Sequence, residues 1–415
     1  MTAISEPIKS RDAATLDLRH RATERARRVR ALALVLPLFI FLFLSFVMPI
    51  VVLLRNAVYD PTISQLMPHS SALLTQWDGK GLPDEPTFAA LAADLASAYK
   101  AKTIAQIGTR LNYELSGIRS KVIASGRKAS EVTQGPYKDA MLGIDSVWGE
   151  RGTWAVLKRS ASPYTSFFVL SALDLNLNQD GALTTTPSDR AIYITIFVRT
   201  LTISALVTVA TLLLGYPVAY LLAILPTRTS NLLMILVLLP FWTSLLVRTT
   251  AWFVLLQDQG IINDALRYLH LTNAPLPLIF SRFGTVVAMT HIQLPFTLLP
   301  IYSVMKTISP NYVRAARSLG AGPFLAFWKI YFPLTVPGIA AGCLLTFILC
   351  LGYYITPALV GGPTDQMVSG FIAQALNGEN NWGKASALGA VLLFATIVLY
   401  FVYNRLVGID KIRFG

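Results

Sequence analysis

The chain has 415 residues, of which 54% are hydrophobic and only 14% charged, with a mean hydropathy of +0.54. A soluble chain carries about 25% charged residues, so soluble multidomain enzymes are excluded, as are disordered, collagen-like and disulfide-framework chains. The net charge of +13 does not mark a nucleic-acid binder, because residues 56–190 balance 13 Lys+Arg against 13 Asp+Glu and the excess lies in the N-terminal tail and short loops.

In chain order, residues 1–30 form a basic tail ending in Arg25, Arg27, Arg28 and Arg30. The next 24 residues, Ala31 to Leu54, carry no charge, which predicts a first transmembrane helix over 31–55. The run is too long for a signal peptide, and no small-residue cleavage site follows before Arg55 and Asn56. Residues 56–190 have soluble composition and form an insert on the outer side. Phe88, Leu91, Leu95 and Tyr99 recur at helical spacing, as do Ile104, Ile107, Leu111, Leu115 and Ile118, which predicts two amphipathic helices. An aromatic stretch with Trp148, Trp154, Tyr164, Phe167 and Phe168 reads as the core of a small domain or as a binding platform. The run Asp174, Asn176, Asn178, Asp180, Gly181 fails the calcium-loop spacing and reads as a polar turn.

Residues 191–415 form a five-helix core, with further spans near 196–225, 231–256, 283–304, 337–359 and 386–407, so the fold class is an all-α membrane protein of six transmembrane helices. Lysine and arginine asymmetry places the 1–30 tail, Arg228, the acid-free segment with Lys306, Arg314, Arg317 and Lys329, and the tail with Arg405, Lys411 and Arg413 on the inside. Both termini are therefore expected to be cytoplasmic, and no inward stretch is long enough for a catalytic domain.

Residues suited to covalent chemistry are scarce. Cys343 and Cys350 lie seven residues apart in one apolar run, about 10 Å along a helix, too far to bridge. His20, His69, His270 and His291 have no metal-ligating spacing. Gly378-Glu-Asn-Asn-Trp-Gly383-Lys384-Ala385 lacks the hydroxyl residue of a phosphate loop. No catalytic residue, cofactor or metal is expected in this chain. Inside the spans, Arg199 sits near an outer end and can snorkel. Arg248 lies deeper in the third span, where a charge requires a partner or a wet cavity, and His291, Gln293 and Pro295 in the fourth span can line the same space. Trp242 and Tyr216 complete the tentative path residues.

The segment Asn311 to Gly338 reads as a short helix, a glycine turn at Gly320, a second short helix rich in aromatics, and a proline-marked entry to the fifth span. Ala315, Ala316, Gly320, Ile330 and Pro333 fall on the frame of a loop it resembles, that of permease subunits of binding-protein-dependent ABC importers, whose pattern is Glu-Ala-Ala, three residues, Gly, nine residues, Ile-x-Leu-Pro. Arg314 departs from the usual Glu and Phe332 from the usual Leu. Gly215 to Tyr220, Pro240 to Arg248 and Thr356 to Pro363 are similar to spermidine/putrescine-type permeases. The resemblance covers about 190–415 and the first span, and the long insert is not part of the usual short permease.

The resemblance implies a six-helix permease with its coupling loop at 306–335, in which Arg314, Ala315, Ala316, Gly320, Ile330 and Pro333 contact the ATPase. It further implies a transport subunit, not an enzyme, in the bacterial inner membrane. Its partners would be an ATPase dimer that binds the ATP and Mg, a second permease, a periplasmic solute-binding protein and a small solute, a polyamine or related amino compound first. A secondary transporter usually shows repeated halves and intramembrane carboxylates, and a membrane-bound ligand sensor needs a cytosolic signalling domain; neither pattern is visible.

Overall fold

The computed structural model describes residues 24, 27, 30–132 and 134–407, with backbone alone at 406 and 407. The rest of the basic tail, His20, Lys411 and Arg413 lie outside the described residues. The chain divides after Arg55 into two units. The first unit is carried by one apolar helix, α1 (Arg30–Asn56), long enough to cross a bilayer.

The second unit begins with a helical insert. α2 (Thr62–Leu66), α3 (Pro68–Leu74), α4 (Glu85–Lys100), α5 (Ile104–Asn112), α6 (Ile118–Ala129), α7 (Tyr137–Ile144) and α8 (Arg151–Ser160) enclose their own core. Asp84 caps α4 by accepting the Thr87 N–H. The apolar stripe of α4 buries Phe88, Leu91 and Leu95 completely, but Tyr99 stays exposed. The second predicted amphipathic helix is two helices. α5 ends at Asn112, whose side-chain oxygen accepts the Gly117 N–H at 2.8 Å, and Gly117 turns the chain at φ 83°, a conformation in which Cβ is costly. Trp148 and Trp154 belong to the core, both fully buried, with Trp154 Nε1 donating to the Trp148 carbonyl at 2.7 Å. Asp94 is buried as well, and accepts from the Ser70 N–H and hydroxyl while facing His69 Nδ1 at 2.7 Å.

α9 (Phe167–Ala172) and the antiparallel hairpin β1 (Leu175–Leu177) and β2 (Leu183–Thr185) fasten the insert to the membrane core. Leu175 pairs with Thr185, and Asn178 Oδ1 closes the turn by accepting from the Asp180 and Ala182 N–H groups. Asp174 has a different task. Its carboxylate accepts from the N–H groups of Ile192, Tyr193 and Ile194 at 3.1, 3.1 and 2.7 Å, at the start of α10 (Tyr193–Ile224). A buried anion there answers both the free N–H groups and the positive end of the helix dipole. Phe168 and Ala172 then pack with Ile196, Val368, Ala387 and Leu388.

The membrane core centres on α10, α14 (Arg282–Thr307) and α16 (Pro323–Leu351), which pack on one another along their lengths. Without a hydrophobic drive between helices in lipid, close approach and interhelical hydrogen bonds must hold them. Thr297 Oγ1 of α14 reaches Thr211 Oγ1 of α10 at 2.8 Å and Thr346 Oγ1 of α16 at 2.6 Å, with all three fully buried. Gly338 and Gly342 let α16 lie against the α14 backbone, where a Cβ on Gly342 would stand 2.6 Å from the Thr297 carbonyl oxygen.

Among the described residues five helices, α1, α10, α14, α16 and α19 (Trp382–Val407), are long and apolar enough to cross a membrane, and a bent pair brings the number to as many as six. That pair corrects the predicted continuous span 231–256. α11 (Thr227–Leu238) runs into a 3₁₀ turn at Leu239–Trp242, and α12 (Leu245–Leu255) leaves at 93°. Pro240 supplies no N–H, Thr243 is extended, and Ser244 starts the new helix by accepting the Val247 N–H at 3.2 Å.

The fifth span is also displaced from 337–359. It begins at Pro323, passes through a π turn at Phe327–Tyr331, and stops at Leu351; Ile355–Val360 is a separate helix, α17. The π turn lies where Pro333 withdraws an N–H from the helical ladder, and a locally widened turn accommodates the loss. On the side opposite the Asn311 loop, α13 (Ile261–Tyr268) and α18 (Val368–Asn377) fill the connections, and Arg282 pairs with the buried Asp365 at 2.9 Å.

Candidate functional site: the Asn311 loop and the membrane arginine

Between α14 and α16 stands α15 (Asn311–Ser318), eight residues long, followed by Gly320 at φ 91°. Nothing lies within 4 Å of a Cβ built on Gly320, so glycine is required there by the backbone alone. Helical spacing divides α15 into two faces. Pro310, Val313, Arg314 and Arg317 line a cavity of about 520 Å³, whose other walls come from Tyr220 and Ile224 at the end of α10, Met305 in the last turn of α14 and Ile308 just after it, and Phe327 and Tyr331 of α16. The opposite face presents Tyr312, Ala315 and, just past the helix, Leu319, which is 89% exposed. Ala316 is half-buried between the two faces. Arg314 thus turns toward the cavity, away from the exposed apolar face.

Ile330 is half-buried in the π turn and Pro333 is exposed. Around them the aromatic run forms a hub. The Tyr220 ring meets Phe327 at 5.6 Å and Tyr331 at 5.3 Å, and Tyr216 meets Phe332 at 5.8 Å while its hydroxyl lies 3.3 Å from Thr335 Oγ1. Tyr216, read from sequence as a path residue, packs against the aromatic run that follows α15. Tyr220, Phe327 and Tyr331 were missed as site residues, although the aromatic density of the second short helix was visible.

The other path candidates gather elsewhere. Arg248 lies on α12, past the break, with its Nε buried and unpartnered among the described residues and its guanidinium 6.0 Å from the Phe241 ring. It is close enough to His291 and Tyr353 to act on both electrostatically. His291 Nδ1 accepts from Trp252 Nε1 at 3.1 Å. Gln293 is fully buried beside the Cys350 thiol, and its amide makes no hydrogen bond of ordinary geometry among the described residues. Arg248 and His291 thus share the boundary between α12 and α14, whereas Gln293, two residues further along α14, faces Cys350 of α16; Trp242 is 75% exposed at the break itself. Arg199 Nη1 donates to the Gln366 carbonyl at 3.3 Å.

Where the insert meets the core, a cavity of about 680 Å³ is lined by Tyr59, Asp60, Arg110, Tyr113, Glu379 and Trp382, among others. Arg110 Nε pairs with Asp60 at 2.5 Å, and Glu379 pairs with Lys384 at 2.9 Å. Burial first, and the Asp60 carboxylate second, raise the Tyr113 phenol above its ordinary pKa, so it remains a hydrogen-bond donor.

Residues 213–409 match the family described as the binding-protein-dependent transport system inner membrane component. The spermidine/putrescine transport system permease protein PotB of Haemophilus influenzae is 33% identical over 216 residues, 52% of this chain and 75% of that protein. Its Escherichia coli K12 counterpart is 31% identical over 52% of this chain and 78% of its own, and the inner membrane ABC transporter permease protein YdcU of the same strain is 32% identical over 51% and 71%. A crystal structure of a bacterial alginate ABC transporter, in complex with an alginate pentasaccharide-bound periplasmic protein, aligns over 51% of this chain and 77% of the other, at 20% identity and a TM-score of 0.42. The chain belongs to the inner membrane permease subunits of binding-protein-dependent ABC importers, within the spermidine/putrescine type.

Proposed function

We propose that this chain forms, with a second permease, the path by which a polyamine or related amino compound enters the cell after delivery by a periplasmic binding protein. An ATPase dimer on the cytoplasmic side supplies the energy and binds the ATP and Mg; this chain binds no cofactor and performs no covalent step. Both termini lie on the cytoplasmic side. Polyamine transport is named for relatives whose match to this chain spans 75% and 78% of their own length, which supports that class of solute.

The observation that carries the coupling role is α15 itself. It is a short helix held off the core by a glycine turn, with Tyr312, Ala315 and Leu319 on its exposed face. An apolar face of that kind, rimmed by basic residues and joined directly to α14 and α16, suits a groove on a soluble partner. Motion imposed on α15 would pass into the two helices that it connects, and Arg248 and His291 lie on α14 and the helix packed beside it. The test is affinity purification from native membranes in mild detergent. An ATPase and a second permease are expected to accompany the chain, and Leu319→Glu should lose the ATPase while keeping the permease. A chain that purifies alone, or an unchanged ATPase yield with Leu319→Glu, would overturn the assignment.

A further inference from the structure

The cavity behind α15 has a chemistry that the coupling role does not use. Arg314 and Arg317 stand one turn apart on its rim, and neither makes an ion pair among the described residues. No acid lines the cavity, and none occurs anywhere between Asp264 and Asp365 in the sequence. The floor is apolar and aromatic: Ile224, Met305, Phe327 and Tyr331 come from the ends of three helices, each long and apolar enough to span a membrane. Tyr220 and Tyr331 meet edge to face there, and Trp328, 47% exposed, extends the same aromatic belt. Aromatic residues at the ends of spanning helices mark the headgroup level of a bilayer.

Two unpaired guanidinium groups above a greasy floor at headgroup depth match one ligand class. We propose that this cavity seats an anionic phospholipid, with its phosphate between Arg314 and Arg317 and the start of its acyl chains against Ile224, Phe327 and Tyr331. Guanidinium groups suit phosphate because their planar fork offers parallel donors. Basic recesses between helix ends on the inner face of a membrane are suitable seats for such headgroups. A soluble partner is the poorer fit for these two arginines, since the face of α15 turned away from the spanning helices carries Tyr312, Ala315 and Leu319 instead. The lipid would wedge between α15 and the ends of α10, α14 and α16. The proposal does not rest on the importer reading, because its readout is lipid retention without transport.

The test uses the full chain, purified with whatever subunits accompany it, and titrated with phosphatidylglycerol or phosphatidylcholine of identical acyl chains under native mass spectrometry. Phosphatidylglycerol should be retained preferentially. The Arg314→Gln/Arg317→Gln variant should lose that preference by about twenty-five-fold, roughly fivefold for each cation near an anionic headgroup, while the double Lys variant keeps most of it. Should the Gln variant fail to fold, Ala223→Phe fills the floor without changing charge and should weaken lipid retention on its own. Equal retention of both lipids, retention of phosphatidylglycerol by the Gln variant, or full competition by millimolar inorganic phosphate would overturn the proposal. So would displacement of the lipid by added ATPase subunit, which would assign the arginines to a protein interface.

Discussion

Replacing Gly342 by alanine tests whether the seam between α14 and α16 is held by backbone proximity. A Cβ at 342 would stand 2.6 Å from the Thr297 carbonyl oxygen and 3.2 Å from its Cα, whereas comfortable contact begins at 3.4 Å. The obstacle is backbone, so α14 and α16 must separate by the missing 0.8 Å. Thr297 Oγ1, now 2.6 Å from Thr346 and 2.8 Å from Thr211, would then lie at or beyond the limit of a useful hydrogen bond on at least one side. Overpacking costs about 1–3 kcal/mol, and an interhelical hydrogen bond in a membrane contributes about 0.6 kcal/mol, so the variant should lose roughly 2–4 kcal/mol. In detergent that corresponds to a melting temperature lower by roughly 2–5 °C, with membrane insertion unaffected because alanine is no less apolar than glycine. Gly352→Ala is the control, since its Cβ would meet only the Leu349 carbonyl at 3.8 Å. A Gly342→Ala protein that melts within about 1 °C of the parent would refute the close-packing argument.

Gly320→Val should insert and fold normally, because no atom crowds that position, yet it must leave the left-handed region at about 1–2 kcal/mol and tilt the end of α15. Uptake should fall while ATP hydrolysis by the assembled complex persists, and wild-type uptake would remove the coupling assignment. Asp174→Ala strips α10 of an anion that accepts three N–H groups, so about 1.5–3 kcal/mol of stability should go, read as earlier melting and as proteolysis near the hairpin; Asp174→Asn should recover part of it. Arg248→Ala should reduce uptake more than yield, with Arg248→Lys intermediate, and an unchanged uptake rate would leave the arginine a structural role only.

Hydropathy alone located the apolar stretches, and the alternation of Lys and Arg gave an orientation, because both follow from the energetics of bilayer crossing. Helical spacing likewise marked the α4 stripe. The break after Trp242 was missed because the windows that detect a span average over local backbone chemistry. Pro240 followed by Ser244 is nevertheless a stop and an N-cap in sequence, and an eye for caps would have cut the span there. Pro333 and Pro337 misled in the other direction. They read as the entrance to a helix that in fact begins ten or more residues earlier, at Pro323, and tolerates them through a π turn. Tyr216 was placed on the path because an aromatic in an apolar run reveals nothing about which neighbour it meets. Its partners, Phe327, Phe332 and Thr335, are more than a hundred residues distant. The Thr211, Thr297 and Thr346 chain was unreadable for the same reason.

The face occupied by Arg314 was legible, and it changes the meaning of the departure from the usual Glu. Positions 310, 313, 314 and 317 share one side of a helix, and that side lines the cavity toward the span ends. A charge there acts on what fills the cavity, while Tyr312, Ala315 and Leu319 remain free for a protein partner. On the two proposals made above, the two faces of one eight-residue helix address two different surroundings, the bilayer boundary and the soluble side. Such a helix has little packing of its own to resist either, since no residue of it is fully buried. What keeps its position defined is the pair of connections: Gly320 on one side and the aromatic hub of Tyr220, Phe327 and Tyr331 on the other. A force on the exposed face must therefore be taken up at those two points, and the hub stands on α10 and α16, the helices that Thr297 joins to α14 through Thr211 and Thr346.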